Sequence, residues 1–417
     1  MNEQQVDLLV IGAGPAGLAA AISAARNGVK KIILVDRLDE LGGILPQCIH
    51  NGFGLRYFQE ELTGPEYAWR FSEMLAGYPE IQIKLNTMVI EVTGKREVIT
   101  VNTIEGMIRY YAEAVILAMG CRERPRGAIN IPGTRPAGVF TAGLIQRMMN
   151  IEGFRPGNRA IIIGSGDIGL IMARRLTLEG IKVLGVFEIL PYSSGLNRNI
   201  VQCLEDFRIP LFLNHTVSKI YGEKRLTGVE VAPVDDNRAP ITEKAFTMEC
   251  DTLVLSVGLI PENELSTKAG VELDSSTGGP IVDSDYQTSI NGIFACGNAV
   301  HVHDLVDDVS EEGKSAGEAA AAFLKNSLQN KGQLVELKAG RNIRSIVPQK
   351  IYADKPTAIY IRVCYPEWDV QLKAGSIRVK QRVVLPGETI HITIKPEDIK
   401  EKRFLTIDIE KGGVDND

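Results

Sequence analysis

Two short stretches carry residue types able to do chemistry. The first runs from Leu41 to Gly54, LGGILPQCIHNGFG, where Cys48 and His50 stand two residues apart behind a glycine pair. A thiolate is a nucleophile and a redox centre, and a nearby imidazole can favour its formation. The second is HVHDLVDD, which gathers His301, His303, Asp304, Asp307 and Asp308. Two imidazoles and three carboxylates are metal-ligand types. However, an i, i+2 pair in a loop fixes no tetrahedron, and no outside third histidine is evident, so no metal site is assigned. The acids suit the N-terminus of the alanine- and glycine-rich helix expected from Ser310, as caps and dipole partners. His301 or His303 is then the candidate proton donor.

The elements that must position these residues are two copies of one unit. VDLLVIGAGPAGLAAAISAARNGVKKIILVDR holds an apolar strand from Val6 to Ile11, then Gly12, Gly14 and Gly17, an alanine-rich helix, a second apolar run from Ile32 to Val35, and Asp36. RAIIIGSGDIGLIMARRLTLEGIKVLGVFEILP repeats it, with a strand from Ala160 to Ile163, then Gly164, Gly166 and Gly169, and a run from Val183 to Phe187 that ends in Glu188. The interval from first glycine to acid is the same in both. In such a unit the glycines make a tight turn, admit a pyrophosphate to the backbone, and let the helix pack on the strand. The helix N-terminus offers N–H groups to phosphate, and the acid accepts from ribose hydroxyls. At the second copy Glu188 repels a 2′-phosphate and no arginine directly follows, which favours NADH over NADPH. Asp167, inside that turn, either opposes a pyrophosphate or caps the helix.

Two linking segments, AEAVILAMGCRERPR and CDTLVLSVGLIPENEL, are apolar strands that run into small-residue turns at Ala118 to Gly120 and at Gly258. A third strand, Ile293 to Ala295, leads into Cys296-Gly297-Asn298. This order of motifs, over about residues 5 to 328, resembles the two-dinucleotide-binding-domain flavoproteins of the pyridine nucleotide-disulfide oxidoreductase type. The resemblance implies an α/β fold with two Rossmann-like domains, the FAD domain (1–125 and 263–330) split around an inserted NAD domain (126–262). It implies FAD at Gly12, Gly14, Pro15, Ala16, Gly17, Asp36, Arg37, Gly43, Ala118, Gly120, Gly297 and Asn298. It implies NAD(H) at Gly164, Gly166, Asp167, Ile168, Gly169, Glu188 and Gly258. Asn298 stands where the superfamily normally has aspartate, and an amide still accepts and donates there. The helix after Asp308 would aim its N-terminus at the flavin C2 carbonyl.

Disulfide-reducing members carry a cysteine pair after the second strand or a CxxC early in the NAD domain. Here the first position has Cys48 alone, and the comparable stretch AGVFTAGLIQR has no cysteine. The chain is therefore read as neither kind of disulfide reductase. Three readings of Cys48 and His50 stay open: packing in a flavin-lining loop, a single redox thiol cycling through a sulfenic acid, or an exit point for electrons.

GGILPQCIHNGFG, LTGPEYA, GNAVHVHDLVDDVSEEG and IRSIVPQKI together resemble a narrower bacterial group of NAD(P)/FAD-dependent oxidoreductases. That group is associated with a glycerol-3-phosphate dehydrogenase-like flavoprotein and a small cysteine-rich protein. More distant are the FAD/NAD subunits of dye-linked proline dehydrogenase, opine oxidase and hydrogen cyanide synthase. The resemblance implies an NAD-facing subunit of a hetero-oligomer, its partner handling the carbon substrate. Cys364 is the only cysteine beyond Cys296, so any iron–sulfur centre would belong to a partner. The rival readings are a stand-alone NADH oxidase or peroxidase using Cys48, and a flavin-binding scaffold without NAD turnover. A homo-oligomer is compatible with all three.

Composition sets the outer bounds. The chain has 417 residues, is 44% hydrophobic and 24% charged, and carries a net charge of -6, which suits two or three domains. No basic block and only 6% aromatics disfavour a nucleic-acid surface. No apolar run reaches the roughly 18 residues of a membrane helix, and the N-terminus lacks a basic n-region, so a soluble, cytoplasmic protein is expected. The six scattered cysteines read as cytosolic thiols, mostly buried. Beyond residue 330, TAIYIRV, ETIHITI and RFLTIDI alternate apolar and polar positions. Period two predicts a small β-sandwich-like domain (331–417), which docks a partner, covers the flavin edge or merely stabilises. Its polar tail, EKGGVDND, is expected to fray.

Overall fold

A computed structural model describes residues 2–326, 332–399 and 402–411. The chain forms two compact units, one made of Met1–Cys121 with Pro261–Asp417 and one of Arg122–Ile260. In the first, a seven-stranded sheet has Asn2–Ile11 at its centre, paired in parallel with Ile32–Val35 on one side and Gly106–Leu117 on the other. Val6 and Leu8 to Ile11 are buried, as expected of a parallel strand covered on both faces. Ile293–Ala295 pairs in parallel with the end of Gly106–Leu117, which delivers Cys296-Gly297-Asn298 beside the first strand's exit.

Two helices cover this sheet. Pro15–Arg26 starts with proline in its first turn, where a missing N–H costs nothing. Against it lies Val306–Leu324. A Cβ on Gly313 would stand 2.1 Å from the Ala16 carbonyl oxygen, and one on Gly317 would stand 2.3 Å from that of Ala20. The alanine and glycine content therefore serves backbone-to-backbone approach. The helix begins at Val306, a turn before the expected Ser310, because Asp307 and Asp308 lie inside its first turn, where the dipole favours them.

The second unit has a five-stranded parallel sheet in the order Val139–Thr141, Thr252–Leu255, Arg159–Ile163, Lys182–Glu188, Leu211–Leu213. A three-stranded antiparallel sheet, His215–Gly222, Leu226–Pro233 and Phe246–Glu249, accompanies it.

The C-terminal region is two sheets enclosing one core. Thr357–Val363 contributes Ile359, Ile361 and Val363, and Phe404–Lys411 contributes Leu405, Ile407 and Ile409. Ile392 and Ile394 join them, while Ile390 is half-buried at the edge of that core. Val347 and Tyr360 instead enter the core of the first nucleotide fold, so this region is docked on it. The tail from 412 lies outside the described residues. Cys203, Cys250 and Cys296 are buried, but Cys48 and Cys121 are half-buried and Cys364 is exposed, so the expectation of mostly buried thiols fails for half of them. No helix among the described residues is long and apolar enough to cross a membrane.

Candidate functional site

The first glycine turn is built by steric necessity. Gly12 has φ +105°, and a Cβ there would lie 2.3 Å from the Ala118 carbonyl oxygen. A Cβ on Gly17 would lie 1.8 Å from that of Gly12. Gly14 is different, since nothing stands within 4 Å of the place its Cβ would take. Gly43 approaches the same residue, its own Cβ position 3.1 Å from the Gly14 Cα. The Asp36 carboxylate reaches back to the turn: Oδ2 accepts from the Ala13 N–H at 2.6 Å and Oδ1 from the Leu38 N–H at 2.9 Å. Each oxygen has a second lone pair for a ribose hydroxyl. Bare backbone at Gly14, a helix N-terminus and an acid at the strand end fit the ADP half of a dinucleotide. Pro15 and Ala16 open the helix, Gly120 (φ +70°) faces open space, and Arg37 is exposed.

The acids after Asn298 do not cap their helix as expected; Leu305 holds the N-cap position. Their partners lie far off in sequence. Asp307 accepts from the Gly54 and Arg56 N–H groups, each at 3.1 Å, anchoring the loop that follows Cys48 and His50. Asp304 pairs with Arg362 and accepts from the Thr389 N–H and hydroxyl, both at 2.8 Å. Asp308 pairs with Arg56 at 3.3 Å.

Cys48 and His50 sit beside that anchor, each with a backbone carbonyl in reach. The Cys48 thiol donates to the Ile44 carbonyl at 3.4 Å, and Gly64 packs on its backbone. The His50 Nδ1 lies 3.1 Å from the Asn51 carbonyl oxygen, and its ring rests 4.9 Å from that of Phe53.

His301 and His303 converge on Glu312, which the segment GNAVHVHDLVDDVSEEG contains without marking it as a partner of the histidines. Nε2 of His301 is 2.8 Å and Nε2 of His303 is 3.1 Å from the same Glu312 Oε1. Glu312 Oε2 accepts from the Gly297 N–H at 2.9 Å. Asn298 Oδ1 accepts from the backbone N–H of His303 at 3.0 Å and faces its Nδ1 at 3.0 Å. Burial acts to raise the Glu312 carboxyl, but the facing imidazoles outweigh it and hold the group below the usual carboxylate range. Burial, then the His303 ring, pushes His301 down to about 4 against the pull of Glu312. Burial and then Glu312 push the Cys296 thiol up. The available signal was an acid on the buried face that carries Val309, Gly313 and Ala316.

The second glycine turn repeats the first in backbone. Gly164 has φ +91°, its Cβ position 2.0 Å from the Ser256 carbonyl oxygen, and that of Gly169 is 2.6 Å from the Gly164 carbonyl oxygen. Ile168 packs on the unit's core, and the Gly258 carbonyl accepts from the Arg124 N–H. Around the turn the chain differs. Glu188 is 4% exposed; its Oε2 accepts from the Ser165 N–H at 2.9 Å and hydroxyl at 2.6 Å, and its Oε1 accepts from the Leu190 N–H. Asp167 neither caps its helix nor stands open: Oδ1 accepts from the Leu196 N–H at 2.8 Å and the Asn199 amide at 2.6 Å. Ser193 donates to the Ser165 carbonyl, and the Ser194 hydroxyl oxygen stands 3.7 Å from the Gly166 Cβ position. The segment 193–199 is thus strapped across the turn.

Comparison with known proteins agrees with this geometry. The family model for pyridine nucleotide-disulphide oxidoreductases matches residues 6–321. Hydrogen cyanide synthase subunit HcnB of Pseudomonas protegens is 28% identical over 75% of this chain and 67% of its own length. An opine oxidase subunit of Agrobacterium tumefaciens is 26% identical over 76% of this chain and 66% of its own. The chain thus spans about two thirds of these relatives. The crystal structure of T. acidophilum thioredoxin reductase shares the fold, with a TM-score of 0.62 at 24% identity, covering 78% of this chain and 99% of that one. With two glycine turns of dinucleotide-binding form and a family model across both, this chain is an FAD-dependent oxidoreductase that belongs to the pyridine nucleotide-disulphide oxidoreductase family.

Proposed function

We propose that this chain is the pyridine-nucleotide-facing subunit of a larger oxidoreductase, exchanging hydride between NADH and FAD while a second flavoprotein acts on the carbon substrate. Bound FAD supplies the electron-accepting chemistry; the chain's own residues bind, orient and shield. Gly12 to Gly17, Asp36 and Gly43 hold the ADP half of FAD, and Gly297 and Asn298 take the ribityl-pyrophosphate. Gly164 to Gly169 take the pyridine nucleotide after segment 193–199 is displaced, and Glu188 disfavours a 2′-phosphate.

The observation that carries this reading is the missing dithiol. A family built to reduce disulfides has here only Cys48 at one position and no cysteine at the other. Electrons then need another exit. Support comes from relatives whose names call them subunits, of hydrogen cyanide synthase and opine oxidase. The narrower likeness points to a glycerol-3-phosphate dehydrogenase-like partner, with a small cysteine-rich protein as a further carrier.

The test is anaerobic mixing of the FAD-loaded chain with NADH and, separately, NADPH, following flavin absorbance near 450 nm. Fast bleaching by NADH with little oxygen consumption is expected, and Cys48→Ser should leave it unchanged. Rapid turnover of oxygen or peroxide that disappears in Cys48→Ser would replace this reading with a stand-alone oxidase or peroxidase.

A further inference from the structure

We propose that His301, His303 and Glu312 form a binding site for one divalent transition-metal ion, zinc or ferrous iron, built into the turn that carries Gly297 and Asn298. Three ligand atoms of the right types converge there within 4.8 Å of one another. Both imidazole Nε2 atoms face a single carboxylate oxygen, at 2.8 and 3.1 Å. Ligand atoms each about 2.0–2.2 Å from an ion stand roughly 3 Å apart, so the spacing is that of a coordination edge. The side chains are 8%, 2% and 0% exposed, which makes the cluster an interior feature.

His303 supplies the decisive observation. Its Nδ1 faces Asn298 Oδ1, an amide oxygen that can only accept, so Nδ1 carries a proton. Nε2 is left fully buried without a hydrogen-bond partner, aimed at Glu312 Oε1. A ring nitrogen this close to a carboxylate oxygen needs positive charge between them, which a bound metal ion supplies. The surroundings resemble a second coordination layer: Asn298 fixes the tautomer of His303, and the Gly297 N–H holds the other Glu312 oxygen. Two imidazoles and one carboxylate select zinc or ferrous iron over calcium or magnesium, which prefer all-oxygen sets. The His-x-His loop lacks a third ligand when read along the sequence, and the long helix supplies it as Glu312. The ion would tie the Gly297 turn to that helix, beneath Tyr360 of the C-terminal region, whose ring lies 5.4 Å from that of His301.

The experiment is elemental analysis of the full-length, FAD-loaded chain purified without a metal-affinity tag, followed by chelation and titration with zinc alone. About one zinc or iron per chain is expected, with affinity lowered about tenfold or more in Glu312→Gln and His303→Gln. Wild-type protein that retains its flavin but holds no metal and takes up no zinc would overturn the proposal, leaving a proton as the bridging charge. If the variants fail to fold, X-ray absorption of zinc-loaded wild type decides. Two imidazole nitrogens and a carboxylate oxygen around zinc support the site, and any other ligand set rejects it.

Discussion

The two glycine turns of this chain share spacing, strand, helix and terminal acid, yet they are finished differently. At the first, the returning segment brings Gly43 against Gly14, and the side of Gly14 that a Cβ would occupy is open. At the second, the returning segment brings Ser193 to Asn199, places the Ser194 hydroxyl beside Gly166, and latches onto Asp167. Asp36 is half-buried and accepts from the Ala13 and Leu38 N–H groups, whereas Glu188 is buried and accepts from the Ser165 and Leu190 N–H groups and also from the Ser165 hydroxyl. A glycine motif fixes backbone geometry; whether the resulting cradle is presented or covered depends on the loop after the second strand. The open turn then suits a tightly held flavin, and the covered one a transient nucleotide.

The largest expected effect separates the turns outright. Gly14→Val places a side chain in open space, so the fold should persist by circular dichroism while FAD retention drops by about a hundredfold or more. Gly166→Val should keep FAD and lose only the response to NADH. Loss of FAD in Gly166→Val would break the assignment.

Next in size, Glu188→Gln leaves one amide oxygen to serve donors that now share two carboxylate oxygens. It should destabilise the second unit by about 2 kcal/mol, read as a lowered melting temperature with FAD retained. An unchanged melt would mean that the buried network contributes little. Smallest is Ser194→Ala, which removes the hydroxyl beside Gly166 and should tighten NADH by about twofold. Weaker binding would make Ser194 a contact to the nucleotide instead of part of its cover.

Much of this contrast was hidden in the sequence. The strands, glycine turns and acids are legible because each rests on local sterics or on a run of apolar residues, and the alternating C-terminal strands are legible for the same reason. Partners across long intervals are not. Asp304 reads as a helix cap, yet it binds Arg362 and Thr389 in the C-terminal region. Asp307 binds the backbone of Gly54 and Arg56. Asp167 meets Leu196 and Asn199 in a stretch without periodicity. Glu312 left a trace, an acid on an apolar helix face, but its meaning depends on two histidines brought in by tertiary folding.

The most direct test is an anaerobic NADH titration of wild-type chain and Asp167→Ala side by side, both loaded with FAD. The variant releases two hydrogen bonds that hold segment 193–199 closed, so the apparent affinity for NADH should rise by about three- to tenfold, with the flavin still bleached. Equal or weaker binding in Asp167→Ala would contradict the account, because the strap would then not stand between the nucleotide and its turn.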